Sequence, residues 1–202
     1  MEEETLIDDA LKSELAALYR AKDRHYHGLA HIEAMLALAR EYRGLLDDRG
    51  AVEAAIWFHD AIYDSRAKDN EAKSAELAEK KLVGRANPLR LARIAAMINA
   101  TAMHQLPSFR DENALNDAAL LLDMDLAILG AEPAVFDAYE KAVRLEYGWV
   151  EEPMWRAGRS AVLKSFLARP DIFYTAEFRR RFEPKARQNI ERSLAALEGR
   201  TA

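Results

Sequence analysis

The chain has 202 residues, of which 50% are hydrophobic and 31% are charged, a balance typical of one globular domain with a sizeable core. Its formal net charge of −5 and the lack of a dense Lys/Arg stripe argue against a nucleic-acid polymer as partner. No cysteine is present, which excludes disulfides and thiolate metal sites, so a metal would have to bind imidazole and carboxylate groups. The acidic start and the absence of a long apolar run predict a cytoplasmic protein with no membrane partner.

Apolar residues at helical spacing predict two helices at the start of the chain. The first covers about residues 6–20, and the second runs from Leu29 to Tyr42. His31 lies in the first turn of the second helix beside apolar neighbours, so its imidazole is expected to face inward. His27 lies one turn earlier, and a role beside His31 is open for it.

The stretch Ala55–Asp64 carries the main polar feature of the sequence. A helix that starts at Val52 is predicted to carry both His59 and Asp60, with His59 on its apolar face. Burying a carboxylate without a partner costs several kcal/mol, so Asp60 needs a cation or several hydrogen bonds. A divalent metal would satisfy both side chains.

Polar segments and prolines indicate the helix boundaries that follow. Residues 64–70 are predicted to form a surface loop, and Asn70 is a good N-cap for a helix over residues 71–82. Asn87-Pro88 is expected to open a helix that runs toward His104. Three further prolines are predicted to start helices by the same reasoning: Pro133, Pro153 and Pro184.

Two acids lie in a helix predicted over about residues 113–129. Asp125 is in the middle of the apolar stripe, whereas Asp123 is on a weaker face and is less expected to point inward. No segment has the alternation of a β-strand, so the fold class is predicted to be all-α. A single domain is expected, with a core over about residues 6–130 and C-terminal helices over about residues 132–198 packed against it.

The inward polar residues that remain are the candidate metal ligands: His31, His59, Asp60 and Asp125. Two imidazoles and two carboxylates suit a divalent transition metal, namely Mn²⁺, Fe²⁺, Co²⁺, Ni²⁺ or Zn²⁺, and suit Ca²⁺ poorly. An ion that accepts about six ligands would keep room for water and for a substrate oxygen.

These residues belong to longer motifs, which in chain order are Arg24-x-Tyr26-His27-x-x-x-His31-Ile32, Trp57-Phe58-His59-Asp60-Ala61-Ile62-Tyr63-Asp64, Asn70-Glu71-x-x-Ser74-Ala75, Asp123-x-Asp125-Leu126-Ala127-Ile128-Leu129-Gly130 and Arg144-x-Glu146-Tyr147. The motifs and their spacing resemble those of an uncharacterised bacterial subgroup of the HD superfamily of metal-dependent phosphohydrolases. The resemblance covers most of the chain. It implies an HD-domain helical bundle with additional C-terminal helices, in which the candidate ligands hold the ion.

The resemblance also implies hydrolysis of a phosphate monoester or a nucleotide-like small molecule by a metal-activated water. By family analogy Asp60 binds the ion and steers that water, while Asp64 or Glu71 could act as the general acid for the leaving group. The side chains expected to contact the substrate are Arg24, His27, Lys68, His104 and Arg144. His104 could instead bind a second ion, since HD proteins with two metals carry additional histidines.

The motifs do not identify the substrate. HD enzymes that hydrolyse guanosine tetraphosphate resemble one another in a Glu-Asp pair where this chain has Tyr63 and Asp64, and the 5′-nucleotidase branch has Glu at the position of Tyr63. The Gly-Tyr-Pro motif of the cyclic-dinucleotide branch is absent from the sequence. Two other functions stay open: a non-catalytic HD module that binds a nucleotide or a partner, and a di-iron HD oxygenase, which needs more ligands.

Overall fold

The computed structural model describes residues 5–199 and shows an all-α protein, as predicted. Nine α-helices and two short 3₁₀ helices form the regular structure of this range, which contains no β-sheet. In chain order the α-helices are α1 (Asp9–Leu18), α2 (Leu29–Glu41), α3 (Arg49–Phe58), α4 (Asn70–Leu82), α5 (Pro88–Thr101), α6 (Glu112–Leu126), α7 (Pro133–Glu146), α8 (Glu152–Leu167) and α9 (Ala176–Leu197). The 3₁₀ helices are Arg43–Leu45 and Ala127–Gly130. None of the helices described is both long enough and apolar enough to span a membrane.

Contacts within the chain divide it into two compact units, Met1–Asp125 and Leu126–Ala202. The boundary lies at the end of α6. Each unit has buried apolar side chains of its own. The packing of the C-terminal helices on the metal-site core as one domain stays a prediction.

The first unit is built around α3, a helix that is apolar on almost every side. All of its residues from Ala51 to Phe58 are buried except Glu53. A helix that is apolar all round has to lie inside a protein, and α3 packs against α1, α2, α4 and α5. Because α3 is central, the two residues that follow it, His59 and Asp60, are buried as well.

Side chains from two other helices hold the N-terminal end of α3. Asp48 is the N-cap, and its carboxylate accepts the Ala51 N–H at 2.9 Å. Arg90 of α5 donates to both oxygens of Asp48, at 2.8 and 2.7 Å. Asp117 of α6 accepts the N–H groups of Asp47 and Asp48 at 2.9 and 2.8 Å, and burial raises the pKa of its carboxyl. The start of α3 is therefore fixed to both α5 and α6.

The second unit contains α7, α8 and α9, with α9 lying against the second 3₁₀ helix. A side chain at Gly130 would have no room, since its Cβ would lie 2.6 Å from the Cβ of Phe182 in α9. Asn189 of α9 donates its amide N–H groups to the carbonyls of Leu129 and Ala131, both at 2.9 Å. These bonds satisfy carbonyl groups that the end of a short helix leaves unpaired.

One of the three predicted proline starts is wrong. Pro133 and Pro153 lie in the first turns of α7 and α8, as predicted, but Pro184 lies inside α9, which begins at Ala176. A proline inside a helix removes one backbone hydrogen bond. Buried side chains on both sides of Pro184 keep α9 continuous, and Ile190 is one that has no exposed surface.

Asn70 is not the N-cap of α4, which corrects a second prediction. The helix begins at Asn70 itself, and Asp69, at the N-cap position, makes no capping side-chain bond. The amide of Asn70 instead donates to the carbonyl of Asp64 at 2.9 Å and accepts the Asp64 N–H at 3.1 Å. The loop over residues 64–70 is therefore closed at its ends by one buried side chain.

Candidate metal centre

His31 comes from the first turn of α2. Gly28 is the N-cap of this helix, and a Cβ at this position would lie 3.3 Å from the carbonyl oxygen of Tyr19. The close approach of the two backbone segments therefore favours glycine at the entry to α2. The imidazole of His31 is buried, as the helical pattern predicts.

The helix α3 ends immediately before the His-Asp pair, which corrects the prediction of one helix from Val52 through both residues. It starts at Arg49, Phe58 is its last residue, His59 is the C-cap, and Asp60 lies in the turn beyond. Neighbouring side chains of a continuous helix point about 100° apart. Because the helix stops here, Oδ2 of Asp60 reaches a point 3.1 Å from Nε2 of His59.

The four predicted ligands lie together in the first unit. Nε2 of His31 is 3.2 Å from Nε2 of His59 and 3.2 Å from Oδ1 of Asp125. Oδ2 of Asp60 is 3.9 Å from Nε2 of His31, and Oδ1 of Asp125 is 3.8 Å from Nε2 of His59. One ligand atom each from His31, His59 and Asp125 lies within 4.8 Å of the other two. The helices α2 and α6 and the end of α3 thus supply one cluster.

The backbone determines which nitrogen of His59 is free to bind. Its Nδ1 lies 2.9 Å from the carbonyl oxygen of Ile56, and because a carbonyl can only accept, Nδ1 carries a proton. In the neutral ring, Nε2 then carries a lone pair instead of a proton, and this lone pair faces Oδ2 of Asp60, which is also an acceptor. Two acceptors at this distance need a positive charge between or upon them.

With protons as the only cations, the cluster binds them tightly. Burial lowers the pKa of His59, but the charges of Asp60 and Asp125 outweigh it and raise the pKa to about 9. Burial raises the pKa of the Asp60 carboxyl, yet charged His59 beside it holds that pKa well below its usual range. Burial likewise raises the pKa of Asp125, but hydrogen bonds with His104 and His31 outweigh it and hold that pKa well below its usual range.

This donor set could hold a metal ion in place of the protons. Nitrogen and carboxylate ligands lie about 2.1 Å from such an ion, so adjacent ligand atoms are separated by roughly 3 Å. The separations of 3.1 to 3.2 Å between neighbouring ligand atoms have this size. The Nδ1–H of His59 donates to a carbonyl, which is the bond that orients metal-binding imidazoles. The residues therefore fit a metal ion in chemistry and in spacing.

His104 contacts the other oxygen of Asp125. Its Nε2 lies 3.0 Å from Oδ2 of Asp125, while Oδ1 faces His31. The backbone of His104 has φ +48°, a left-handed conformation that is uncommon for residues other than glycine. His104 thus lies beside a candidate ligand, and its roles in substrate contact or in binding a second ion stay predictions.

Arg24 and His27 lie beside the ligands, in the segment between α1 and α2. The Arg24 guanidinium donates to the main-chain carbonyl of Asp60 at 2.5 Å. The ring of His27 stacks on Tyr63, with centroids 4.4 Å apart, and lies edge-on to His31 at 6.3 Å. Both residues adjoin the centre, and their predicted contacts with substrate remain to be tested.

The candidates on the loop after the His-Asp pair are more exposed. The Asp64 carboxylate accepts the Arg66 N–H at 2.8 Å, which closes a local turn, and its residue is exposed. Glu71 is half-buried in the first turn of α4, and Lys68 is exposed on the loop. The general-acid roles of Asp64 and Glu71 and the substrate contact of Lys68 stay predictions.

Arg144 belongs to the second unit. Its guanidinium donates to the carbonyls of Tyr147 and Val150, at 2.7 and 3.2 Å, and so joins the end of α7 to the turn that follows. A further bond of 3.3 Å reaches the carboxylate of Glu152. These contacts give Arg144 a structural role that the sequence did not indicate, and its substrate role stays a prediction.

Two residues of this region were misjudged or missed from the sequence. Asp123, which was less expected to point inward, has an exposed fraction of 0%, whereas the side chain of Asp125 is 13% exposed. In a helix with buried residues on several faces, the apolar stripe does not separate the two acids. Tyr19 was missed, since no motif includes it, yet its buried hydroxyl donates to the carbonyl of Trp57 at 3.0 Å.

The structure thus shows a group of His31, His59 and Asp125 that could hold a metal ion. Comparison of the chain with models of protein families, with curated proteins and with solved structures gives no match. The likeness to the HD superfamily rests on the sequence motifs, and so the activity is argued from the residues of the centre.

Proposed function

We propose that the chain is a metal-dependent phosphohydrolase of HD type that acts on a phosphate monoester or a nucleotide-like small molecule. One observation carries the proposal: ligand atoms of His31, His59 and Asp125 lie within 4.8 Å of one another, in a group that could hold one divalent ion. Oδ2 of Asp60 lies 3.1 Å from Nε2 of His59 at the edge of this group. The order of these residues and their flanking motifs support the HD assignment. The cytoplasmic location predicted from the sequence is part of this proposal.

The protein residues around the ion supply the remaining chemistry. A bound divalent ion lowers the pKa of water toward neutrality and neutralises charge on a phosphoryl oxygen. The carboxylate of Asp60 would orient the attacking water by accepting a hydrogen bond from it. Asp64 or Glu71 would deliver a proton to the oxygen of the leaving group.

The substrate is expected to be small and anionic. His27 and His104 lie beside the ligands and can donate hydrogen bonds to phosphoryl oxygens. Lys68 is an exposed cation on the loop that follows the His-Asp pair in sequence. Nucleoside monophosphates are the first compounds to try, followed by phosphorylated sugars. The divalent metals to supply are Mn²⁺, Fe²⁺, Co²⁺, Ni²⁺ and Zn²⁺.

Metal content and phosphate release in the same preparations test the proposal. Protein purified without chelator should contain about one transition metal per chain and release phosphate from at least one monoester. Asp60→Ala should lose activity by at least about a hundredfold and bind the metal more weakly. Asp69→Ala is the matched control, because Asp69 is exposed and pairs only with Lys73 among the contacts described.

The other functions give different results in these assays. Near two irons per chain, with oxygen consumption and no phosphate release, would favour the di-iron oxygenase. Tight binding of a nucleotide that is never hydrolysed would favour the non-catalytic module. Native metal content and activity in Asp60→Ala would show that the centre is not where the reaction takes place.

A further inference from the structure

The Arg24 guanidinium binds three main-chain carbonyls at the edge of the metal centre. Its Nη1 donates to Asp60 O at 2.5 Å and to His27 O at 3.1 Å, and its Nη2 donates to Ala61 O at 2.8 Å. The carbonyls of Asp60 and Ala61 belong to the turn that ends α3, and that of His27 belongs to the entry into α2. One side chain therefore joins the two segments that supply His31, His59 and Asp60.

Aromatic rings hold the guanidinium in this position. Its central carbon lies 5.1 Å from the ring centroid of Tyr19 and 5.5 Å from that of Tyr63. Tyr19 in turn donates its hydroxyl to the carbonyl of Trp57 in the last turn of α3. A cation just beyond the C-terminal end of α3 also faces the negative end of the helix dipole. The position of Arg24 is therefore determined from several sides.

We propose that Arg24 is a positioning residue, which sets the spacing of the metal ligands by joining the end of α3 to the start of α2. This inference rests on the metal site of the proposed function, and it assigns Arg24 a task different from substrate binding. If the clamp were absent, the turn at Asp60 and Ala61 would lose the donor that fixes it where α3 stops. The separation of 3.2 Å between the Nε2 atoms of His31 and His59 would then no longer be maintained.

Lysine cannot replace arginine in this arrangement. The guanidinium is planar and presents Nη1 and Nη2 in fixed directions, which match the carbonyls of Asp60 and Ala61. The ammonium of lysine is a single point on a flexible chain. Arg24→Lys thus keeps the charge but loses the geometry, and it separates positioning from simple electrostatics.

Cobalt binding provides a readout that does not depend on activity. In Arg24→Lys and Arg24→Met we expect the affinity for Co²⁺ to fall by roughly tenfold to a hundredfold, because residues that orient metal ligands have effects of this size. The visible absorption of the bound Co²⁺ should also change, since its bands report the arrangement of the ligands. Both quantities come from titration of the chelator-treated full-length chain with Co²⁺.

The matched control is Arg90→Met. Arg90 donates two hydrogen bonds to Asp48, the N-cap of α3, whereas the ligands follow the other end of this helix. Loss of Arg90 therefore destabilises α3 at the end away from the ligands. We expect Arg90→Met to unfold at lower denaturant but to keep the native Co²⁺ affinity and spectrum. The proposal is wrong if the Arg24 variants also keep the native Co²⁺ affinity and spectrum, or if Arg90→Met changes both equally. Arg24 is then only a stabilising residue.

Failure of this inference differs from failure of the proposed activity. A native chain that binds Co²⁺ with Arg24-dependent affinity but hydrolyses no phosphate ester retains the positioning role and loses the phosphohydrolase assignment. A native chain that does not bind Co²⁺ overturns both. If Arg24→Met does not fold, Arg24→Lys with native circular dichroism and an altered cobalt spectrum supports the proposal.

Discussion

His104 combines a rare backbone conformation with a direct bond to a candidate ligand. The backbone of His104 has φ +48°, and its Nε2 lies 3.0 Å from Oδ2 of Asp125. Asparagine tolerates this conformation well, but its side chain is too short to reach Asp125. We expect His104→Asn to bind Co²⁺ about tenfold more weakly, without added backbone strain at this position. Competition with a chromogenic chelator measures the affinity.

The control for this prediction is another histidine. His25 is exposed and outside the ligand cluster, so His25→Asn should leave both the Co²⁺ affinity and the stability unchanged. Native affinity in His104→Asn would mean that the bond to Asp125 contributes nothing to the metal site. We also expect the free energy of unfolding of His104→Ala to be about 1 kcal/mol lower than that of His104→Asn, because alanine is disfavoured at positive φ.

At the scale of the elements, replacing glycine by alanine is expected to have opposite effects at two positions. Gly130 lies in the second 3₁₀ helix against α9, whereas Gly158 lies in α8 with open space around it. Gly130→Ala would place a Cβ 2.6 Å from both the Cβ and the carbonyl oxygen of Phe182, so the helix has to move. We expect a loss of about 3 kcal/mol in the free energy of unfolding. Gly158→Ala meets open space within α8 and should raise stability by about 0.5 to 1 kcal/mol.

Urea denaturation of both variants gives these free energies. Equal changes in Gly130→Ala and Gly158→Ala would show that the close contact with Phe182 is relieved at no cost. A reduced denaturant slope in Gly130→Ala would instead indicate that α9 leaves its place before the rest of the chain unfolds.

The helices themselves were largely predictable because their signals are local. The pair Asn87-Pro88 opens α5, and Pro133 opens α7, since capping and the fixed φ of proline act within one turn. The error at the end of α3 came from a contact between residues that are distant in sequence. Nothing near Phe58 ends α3, but Arg24, far away in sequence, binds the carbonyls that follow it.

At the scale of the whole molecule, the charged cluster makes stability depend on pH and on metal. The pKa of His59 is about 9 in the folded metal-free protein and about 6.5 when unfolded, so its contribution is complete below pH 6.5 and is lost as the pH rises to 9. The lowered pKa values of Asp60 and Asp125 act in the opposite direction, and their contribution is lost in acid. We expect chelator-treated protein to lose on the order of 3 kcal/mol between pH 6.5 and 9.

A bound ion should abolish most of this loss, because it replaces the proton at Nε2 of His59. Metal affinity should therefore rise with pH up to about 9. Thermal unfolding at pH 6.5 and 9, with chelator and with excess Co²⁺, measures both effects. In His59→Gln the pH dependence in chelator should disappear. Identical melting temperatures of the chelated native chain at the two pH values would contradict the raised pKa.

The composition of the site was more predictable than its arrangement. The group that the structure brings together, His31, His59 and Asp125, was expected because polar groups on apolar stripes require partners. The ligand role of Asp60 stays a prediction. The stripe of α6 could not show that Asp123 is buried, since that depends on which helices surround α6. Nor could the sequence indicate that His104 holds Asp125 or that Arg24 binds carbonyls, because these contacts join segments that are distant in sequence.

Trp57 lies two residues before His59, is 8% exposed, and its indole N–H has no hydrogen-bond acceptor among the described residues. An indole in such apolar surroundings fluoresces at shorter wavelength than one in water, whereas Trp149 is 46% exposed and Trp155 is half-buried. Open-shell ions such as Co²⁺ and Cu²⁺ quench nearby indoles by energy or electron transfer. Filling of the centre can therefore be followed in the unlabelled protein by the loss of its short-wavelength emission.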